Sequence, residues 1–133
     1  MSIIELREAA SLAIHSMVIL AKNKGNLLTV KEMAEECGAS QAHLAKVMQR
    51  LAKSGLVVAN RGPKGGYQIS PEGENATLLS IYEALEGPVL SKECFLKQKV
   101  CPFEKCIFGG VLEKAEREIK IYFAQTKLKD LVL

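Results

Sequence analysis

The chain has 133 residues, is 48% hydrophobic and 25% charged, and carries a formal net charge of +3. That length fits one domain with a modest extension, and the composition is that of an ordinary water-soluble chain. No apolar run approaches the ~18 residues of a membrane-spanning helix, and the opening Met-Ser-Ile-Ile-Glu-Leu-Arg-Glu lacks the order of a secretory signal, so a cytoplasmic protein with no membrane partner is expected.

Ala9, Leu12, Ala13, Ile14, Met17, Val18 and Leu20 recur at helical spacing and predict a first helix from about Arg7 to Lys22. Asn23-Lys24-Gly25-Asn26 ends it. Thr29 and Glu32 stand as a capping box: the hydroxyl accepts from the third amide, and the carboxylate reaches back to the amide of Thr29. A short helix follows to Cys37, with Met33 and Ala34 facing inward, and Gly38 makes the turn. Ser40 caps the next helix, in which Leu44, Val47, Met48 and Leu51 repeat at i, i+3, i+4, i+7. Two short helices joined by a glycine turn are a helix-turn-helix pattern.

Ser54-Gly55 closes that helix. Leu56 to Asn60 favours a strand, Arg61 to Gly66 a turn, and Tyr67 to Ile69 a second strand, which together predict a wing. Pro71 and Gly73 mark a loop. Thr77 caps a helix carrying Leu78, Leu79, Ile81, Tyr82 and Leu85, stopped by Gly87-Pro88. Residues 89–106 read as irregular. A long final helix is predicted from about Ile107 to Gln125, with Phe108, Leu112, Ala115, Ile119 and Tyr122 as a coiled-coil-like seam. The expected fold is mainly α with a small β-hairpin wing: a winged helix-turn-helix plus a long C-terminal helix.

Charge is unevenly placed. No Asp or Glu occurs from 37 through 71, while Lys46, Arg50, Lys53, Arg61 and Lys64 all fall there. Such a block is the electrostatic footprint of a phosphate-binding face, although a solvated basic surface has the same composition. The helix beginning at Ser40 has the two faces a recognition helix needs, an apolar stripe and a polar side. Its outward residues are Gln41, Ala42, His43, Lys46, Gln49, Arg50 and Lys53. Gln41, Ala42 and His43, at the N-terminal end, are placed to read base edges, and Gln pairs bidentately with adenine. Lys46, Arg50 and Lys53 suit phosphates. Arg61 and Lys64, on a turn slimmed by Gly65, suit the minor groove or its rim. A winged helix used only for protein contacts is the alternative; a docking face is seldom purged of one charge sign so completely.

Of four cysteines, Cys37 stands alone and reads as a small core residue, while Cys94, Cys101 and Cys106 fall close together. In a reducing compartment such a cluster points to metal or redox chemistry rather than to disulfides. Thiolates are soft ligands that suit iron–sulfur clusters or zinc. Enzyme activity is not expected: neither of the two histidines lies near the cysteine trio in sequence, and there is no phosphate-binding glycine motif and no acid pair with an obvious pocket.

From Ala52 to Ile69 the chain reads Ala-Lys-Ser-Gly-Leu-Val-Val-Ala-Asn-Arg-Gly-Pro-Lys-Gly-Gly-Tyr-Gln-Ile, which resembles the wing signature of the Rrf2 family of bacterial regulators. Ala13-Ile14-His15-Ser16 resembles the family's first helix. Cys94-x6-Cys101-x4-Cys106 resembles the three-cysteine loop of its cluster-binding members, and Thr126-x-Leu128-x-Asp130-Leu131 its ending. The resemblance spans essentially the whole chain. It implies a homodimer built on the long C-terminal helix and a palindromic double-stranded DNA operator, since two-fold symmetry maps onto two half-sites. It also implies a [2Fe–2S] or [4Fe–4S] cluster on Cys94, Cys101 and Cys106. Some members place a His three residues after the last cysteine, where this chain has Gly109; others use a first-helix carboxylate, where this chain has Ser11. Glu8 and His15 lie one turn to either side of Ser11 and are the candidate fourth ligands.

The expected organisation is a DNA-binding domain at 1–88, a cluster loop at 89–106, and a dimerisation helix with tail at 107–133. The expected function is a DNA-binding transcriptional regulator sensing redox, nitric oxide or iron–sulfur status. The alternative is a cluster-free, zinc or thiol-switch repressor of the same fold, with a pure interaction scaffold as the third option.

Overall fold

The structure is a computed structural model that describes residues 2–89 and 101–132. Helix α1 (Glu8–Lys22) buries Ala10, Leu12, Ala13, Met17 and Leu20. Helices α2 (Val30–Cys37) and α3 (Gln41–Lys53) pack on it at the turn made by Gly38, whose φ is +64°. The Thr29 hydroxyl accepts the Glu32 amide at 3.1 Å, as the capping box requires. The return arm differs from the expectation. The Glu32 carboxylate accepts from the Thr29 hydroxyl at 3.1 Å, not from the Thr29 amide.

Helix α3 ends in a Schellman motif, with Leu56 N–H bonding Leu51 O and Gly55 N–H bonding Ala52 O, both at 3.0 Å. This turns the chain directly into the wing. Strands β1 (Val57–Asn60) and β2 (Gly66–Ile69) are antiparallel, with Val57 opposite Ile69 and Asn60 opposite Gly66. Leu28 adds a one-residue bridge to Tyr67 through two backbone bonds of 2.9 and 2.8 Å, so the wing is held to the segment that precedes α2.

Where a loop was expected at Pro71 and Gly73, the chain makes one helical turn, α4 (Pro71–Glu74). The physical reason is a complete N-terminus. Pro71 needs no amide partner, and the buried Ser70 hydroxyl accepts the Gly73 amide at 2.9 Å while donating to Gly55 O at 2.6 Å. Gly73 is required by close approach. A Cβ there would strike the Leu56 carbonyl and stand 3.0 Å from Ile69 and Met17 side chains.

Helix α5 (Leu78–Glu86) starts in a reciprocal Thr77–Ser80 capping box and crosses α1, burying Leu78, Ile81 and Leu85. The last long helix, α6 (Val111–Gln125), begins four residues later than expected. Gly109 and Gly110 have φ of +62° and +74°, a left-handed pair that separates Ile107 and Phe108 from the helix. Phe108 therefore precedes the seam rather than belonging to it. Helix α6 leans on α5, where Tyr82 and Phe123 meet edge-on with centroids 6.2 Å apart. None of its residues is buried in the single chain.

Beyond α6 the chain returns to the head in a short turn, α7 (Leu128–Leu131). Leu78 N–H bonds Thr126 O at 3.0 Å, Leu128 N–H bonds Ala76 O at 2.8 Å, and the Leu128 side chain is completely buried in the core shared with α1. Among the described residues no helix is long and apolar enough to cross a membrane. Replacing Gly73 by Ala is expected to lower stability by about 1–3 kcal/mol, the usual cost of overpacking against backbone; urea unfolding followed by circular dichroism measures it, and an unchanged midpoint contradicts the close approach.

Candidate nucleic-acid interface and cysteine segment

The amphipathicity of α3 decides its orientation. Leu44, Val47, Met48 and Leu51 are all 2% exposed or less. The opposite side carries Gln41, Ala42, Lys46, Gln49, Arg50 and Lys53, every one exposed. The Ser40 hydroxyl accepts the His43 amide at 3.1 Å, so the N-terminal end of the helix is capped yet open to solvent. The hairpin adds Arg61 and Lys64, both exposed, on a turn closed by Gly65 N–H to Gly62 O at 2.9 Å; Gly65 itself is half-buried. None of Lys46, Arg50, Lys53, Arg61 or Lys64 pairs with a described carboxylate. Their charges are free to meet an anion.

His43 is half-buried. Its Nδ1 stands 3.6 Å from a Glu8 carboxylate oxygen, a contact between the first turn of α1 and the first turn of α3. Residue types and spacing carry no signal for it, because it arises only when the two helices pack. Glu8, one candidate fourth ligand, thus sits at the N-terminal end of α3. His15, the other, is exposed and its Nδ1 lies 2.6 Å from the Ser11 carbonyl oxygen one turn back.

Cys94 lies outside the described residues. Cys101 and Cys106 are free and exposed, on the irregular stretch before Gly109 and Gly110. Gly109 offers no side-chain donor. Two accessible soft donors five residues apart in the chain are of the type that thiolate-held iron–sulfur clusters and zinc use, so the donor chemistry present fits such a group. Among the described residues no set of three His, Cys, Asp or Glu side chains is gathered in one place. Cys37 is different. It is half-buried at the end of α2 against the core, and burial pushes its thiol above the ordinary 9.0; the Ser16 hydroxyl acts the other way and Glu36 adds to the rise. It stays protonated near neutral pH and belongs to packing.

A helix-turn-helix with a basic outward helix, followed at once by a two-stranded wing, defines a DNA-binding transcriptional regulator of the winged helix-turn-helix class. The chain belongs to the Rrf2 family: the family model described as "Iron-dependent Transcriptional regulator" matches residues 6–133. It is 31% identical over 112 residues to the HTH-type transcriptional regulator NsrR of Shouchella clausii, covering 83% of this chain and 75% of that one. The solved structure of CymR, the global cysteine regulator of B. subtilis, superposes with a TM-score of 0.77 at 25% identity, over 98% of this chain and 97% of that one. The structure of T. potens IscR superposes with a TM-score of 0.72 at 25% identity, over 96% and 85%. The family comprises regulators of transcription, not enzymes.

Alkylation of the folded, metal-free protein at neutral pH is expected to label the exposed Cys101 and Cys106 at least ~10-fold faster than Cys37, whose thiol is half-buried and held protonated. Mass spectrometry of timed digests reads the order. Equal rates overturn the assignment of Cys37 to the core.

Proposed function

We propose that this chain acts as a homodimer that reads a palindromic duplex with paired α3 helices and wings, and that a cluster on Cys94, Cys101 and Cys106 tunes that binding. The carrying observation is the one-sidedness of α3: four buried apolar side chains lock it to the head, and its exposed side together with the hairpin holds five cations with no described carboxylate against them. In this reading Gln41, Ala42 and His43 meet base edges, with Ser40 holding the helix end that carries them. Lys46, Gln49, Arg50 and Lys53 bind phosphates and set register. Arg61 and Lys64 engage the adjacent groove, and Gly65 keeps the hairpin turn slim enough to approach it.

The dimer rests on apolar surface that one chain leaves uncovered. Helix α6 exposes Val111 at 65%, Ile121 at 48% and Tyr122 at 55%. Beside it, Ile4, Leu6, Leu79, Tyr82, Ile119 and Phe123 line a groove of about 450 Å³. Exposed apolar area on this scale marks an association surface, and two-fold pairing of one helix places two reading heads on one duplex. In this reading the protein works in the cytoplasm, beside its duplex.

Three thiolates would grip an iron–sulfur cluster while a weaker fourth ligand, Glu8 or His15, completes it. When bound, such a cluster supplies a centre that reacts with oxygen or nitric oxide. Regulation then needs only that loaded and unloaded protein differ in DNA affinity.

Lys46→Ala is expected to weaken binding to all duplexes alike and to reduce the salt slope by about 1, whereas Gln41→Ala shifts preference at particular base pairs by ~1–3 kcal/mol. Mobility-shift titrations against salt and against single-base operator variants separate the two. If neither change alters retardation, the reading face lies elsewhere. Protein purified without oxygen is expected to be brown, with visible absorption lost in Cys101→Ala. A colourless preparation holding stoichiometric zinc replaces the cluster with a zinc site, and one holding no metal leaves a thiol switch.

A further inference from the structure

Between the end of α6 and the end of the chain, the backbone does something a dimerisation tail need not do. Residues 126–128 run antiparallel to residues 76–78, bridged at Thr77 and Lys127. Leu78 N–H and Leu128 N–H close this short ladder at 3.0 and 2.8 Å. The Leu128 side chain then enters the head's own core with no exposed surface. Asp130 secures the turn behind it, its carboxylate accepting the Lys127 amide at 3.0 Å.

The ladder's other strand is equally well placed. Residues 76–78 join α4 to α5, and α4 is the turn wedged beneath the wing through Ser70, Gly73 and the Leu56 carbonyl. α7 packs on both α1 and α4. The far end of α6 is therefore fastened by backbone bonds to residues 76–78, which directly follow the turn that seats the wing. Farther back along α6, the Lys120 ammonium donates to the Val89 carbonyl at 3.4 Å, beside the edge-on contact of Phe123 with Tyr82 of α5, and this fastens the helix a second time. Two attachments at separate points along a helix fix its angle to the head, where one would leave a hinge.

We infer that the segment Thr126–Leu131 is a strap that sets the distance and rotation between the two reading heads, and so the half-site spacing the protein accepts, with Leu128 as its anchoring residue. The inference rests on the proposed reading of α6 as the dimer helix. Under that reading, the angle between α6 and the head in each copy decides where the two α3 helices fall along a duplex. Half-site spacing is a geometric property of the protein, and here it is carried by a segment that touches no DNA.

The test uses full-length protein and a palindromic duplex selected by the wild-type chain from a random-sequence pool. Inserting two base pairs at the centre rotates one half-site relative to the other by about 70°. Wild type is expected to lose about 30-fold or more in affinity, since each half then binds alone. A variant with two glycines inserted between Gln125 and Thr126 keeps Leu128 and its bonds but frees α6 from them. It is expected to dimerise by sedimentation, to bind the parent site about 10-fold more weakly, and to distinguish the two spacings by less than about 3-fold. A variant that discriminates as sharply as wild type overturns the strap. If the insertion fails to fold, Asp130→Ala, which loosens only the turn behind Leu128, decides in its place: reduced spacing discrimination supports the strap and unchanged discrimination overturns it. Should the wild-type chain select no palindrome at all, the DNA reading itself fails and takes the strap with it.

Discussion

Four side chains decide which side of α3 meets solvent. Leu44, Val47, Met48 and Leu51 fill the space between α1, α5 and the wing, and burying each stabilises the fold by ~1.5–3 kcal/mol. Rotating α3 by a third of a turn would expose that stripe and drive Lys46 or Arg50 into the core, where an unpaired charge costs several kcal/mol more. The apolar stripe thus fixes the outward display of Gln41, Lys46, Gln49 and Arg50 as firmly as it holds the helix. Packing and presentation are one constraint seen from its two sides. The rest of the head follows from it: α1 supplies the floor, the Schellman turn after Lys53 starts the wing, and Ser70 with Gly73 brings the chain beneath Leu56.

This constraint is local in sequence, which is why so much of the head is legible in the order of residues alone. The i, i+3, i+4, i+7 spacing of the α3 stripe, the Ser40 and Thr77 caps, the Gly38 turn and the paired β-favouring runs each act within a few residues. Departures occur where longer-range partners intervene. Pro71 to Glu74 lacks a helical pattern of its own; it winds into a turn because Ser70 bonds back to Gly55 across the base of the hairpin. Spacing starts α6 too early because Phe108 fits the seam, and spacing carries no information about backbone sign at Gly109 and Gly110. The Glu8–His43 contact and the burial of Leu128 depend wholly on tertiary packing. In sequence they are an ordinary first-turn acid and one apolar residue in a charged tail.

The same contrast separates the two halves of the candidate site. The basic face is assembled from one helix and one hairpin, both internally specified, and its charges need no partner within the chain. The cysteine trio depends on a segment with no periodicity. Cys101 and Cys106 are exposed thiols, and the fold does not gather other donors around them among the described residues. Rigid reading elements beside a chemically reactive stretch without regular patterning form a division suited to a regulator. Under the proposed function, the first would supply a constant DNA face and the second the chemistry of the signal.

Any such change has to reach the head through fixed points, and Val89 is one. Its amide donates to a Glu83 carboxylate oxygen at 2.9 Å, while its carbonyl accepts from the Lys120 ammonium at 3.4 Å. Glu83 lies on α5 and Lys120 on α6, so the backbone just before the cysteine-bearing stretch is pinned between the head and the proposed dimer helix. A part-buried bond to a charged group contributes about 1.5–3 kcal/mol, more than an ion pair between exposed side chains. Under the proposed function, the α5–α6 contact at Val89 is the described point through which a change in the cysteine stretch would reach the head. With the end of α6 stitched to residues 76–78 and Lys120 held at Val89, these are the contacts that set the angle of α6 to the head, and under the proposed pairing of that helix they are where a change would have to act to move one reading head relative to the other.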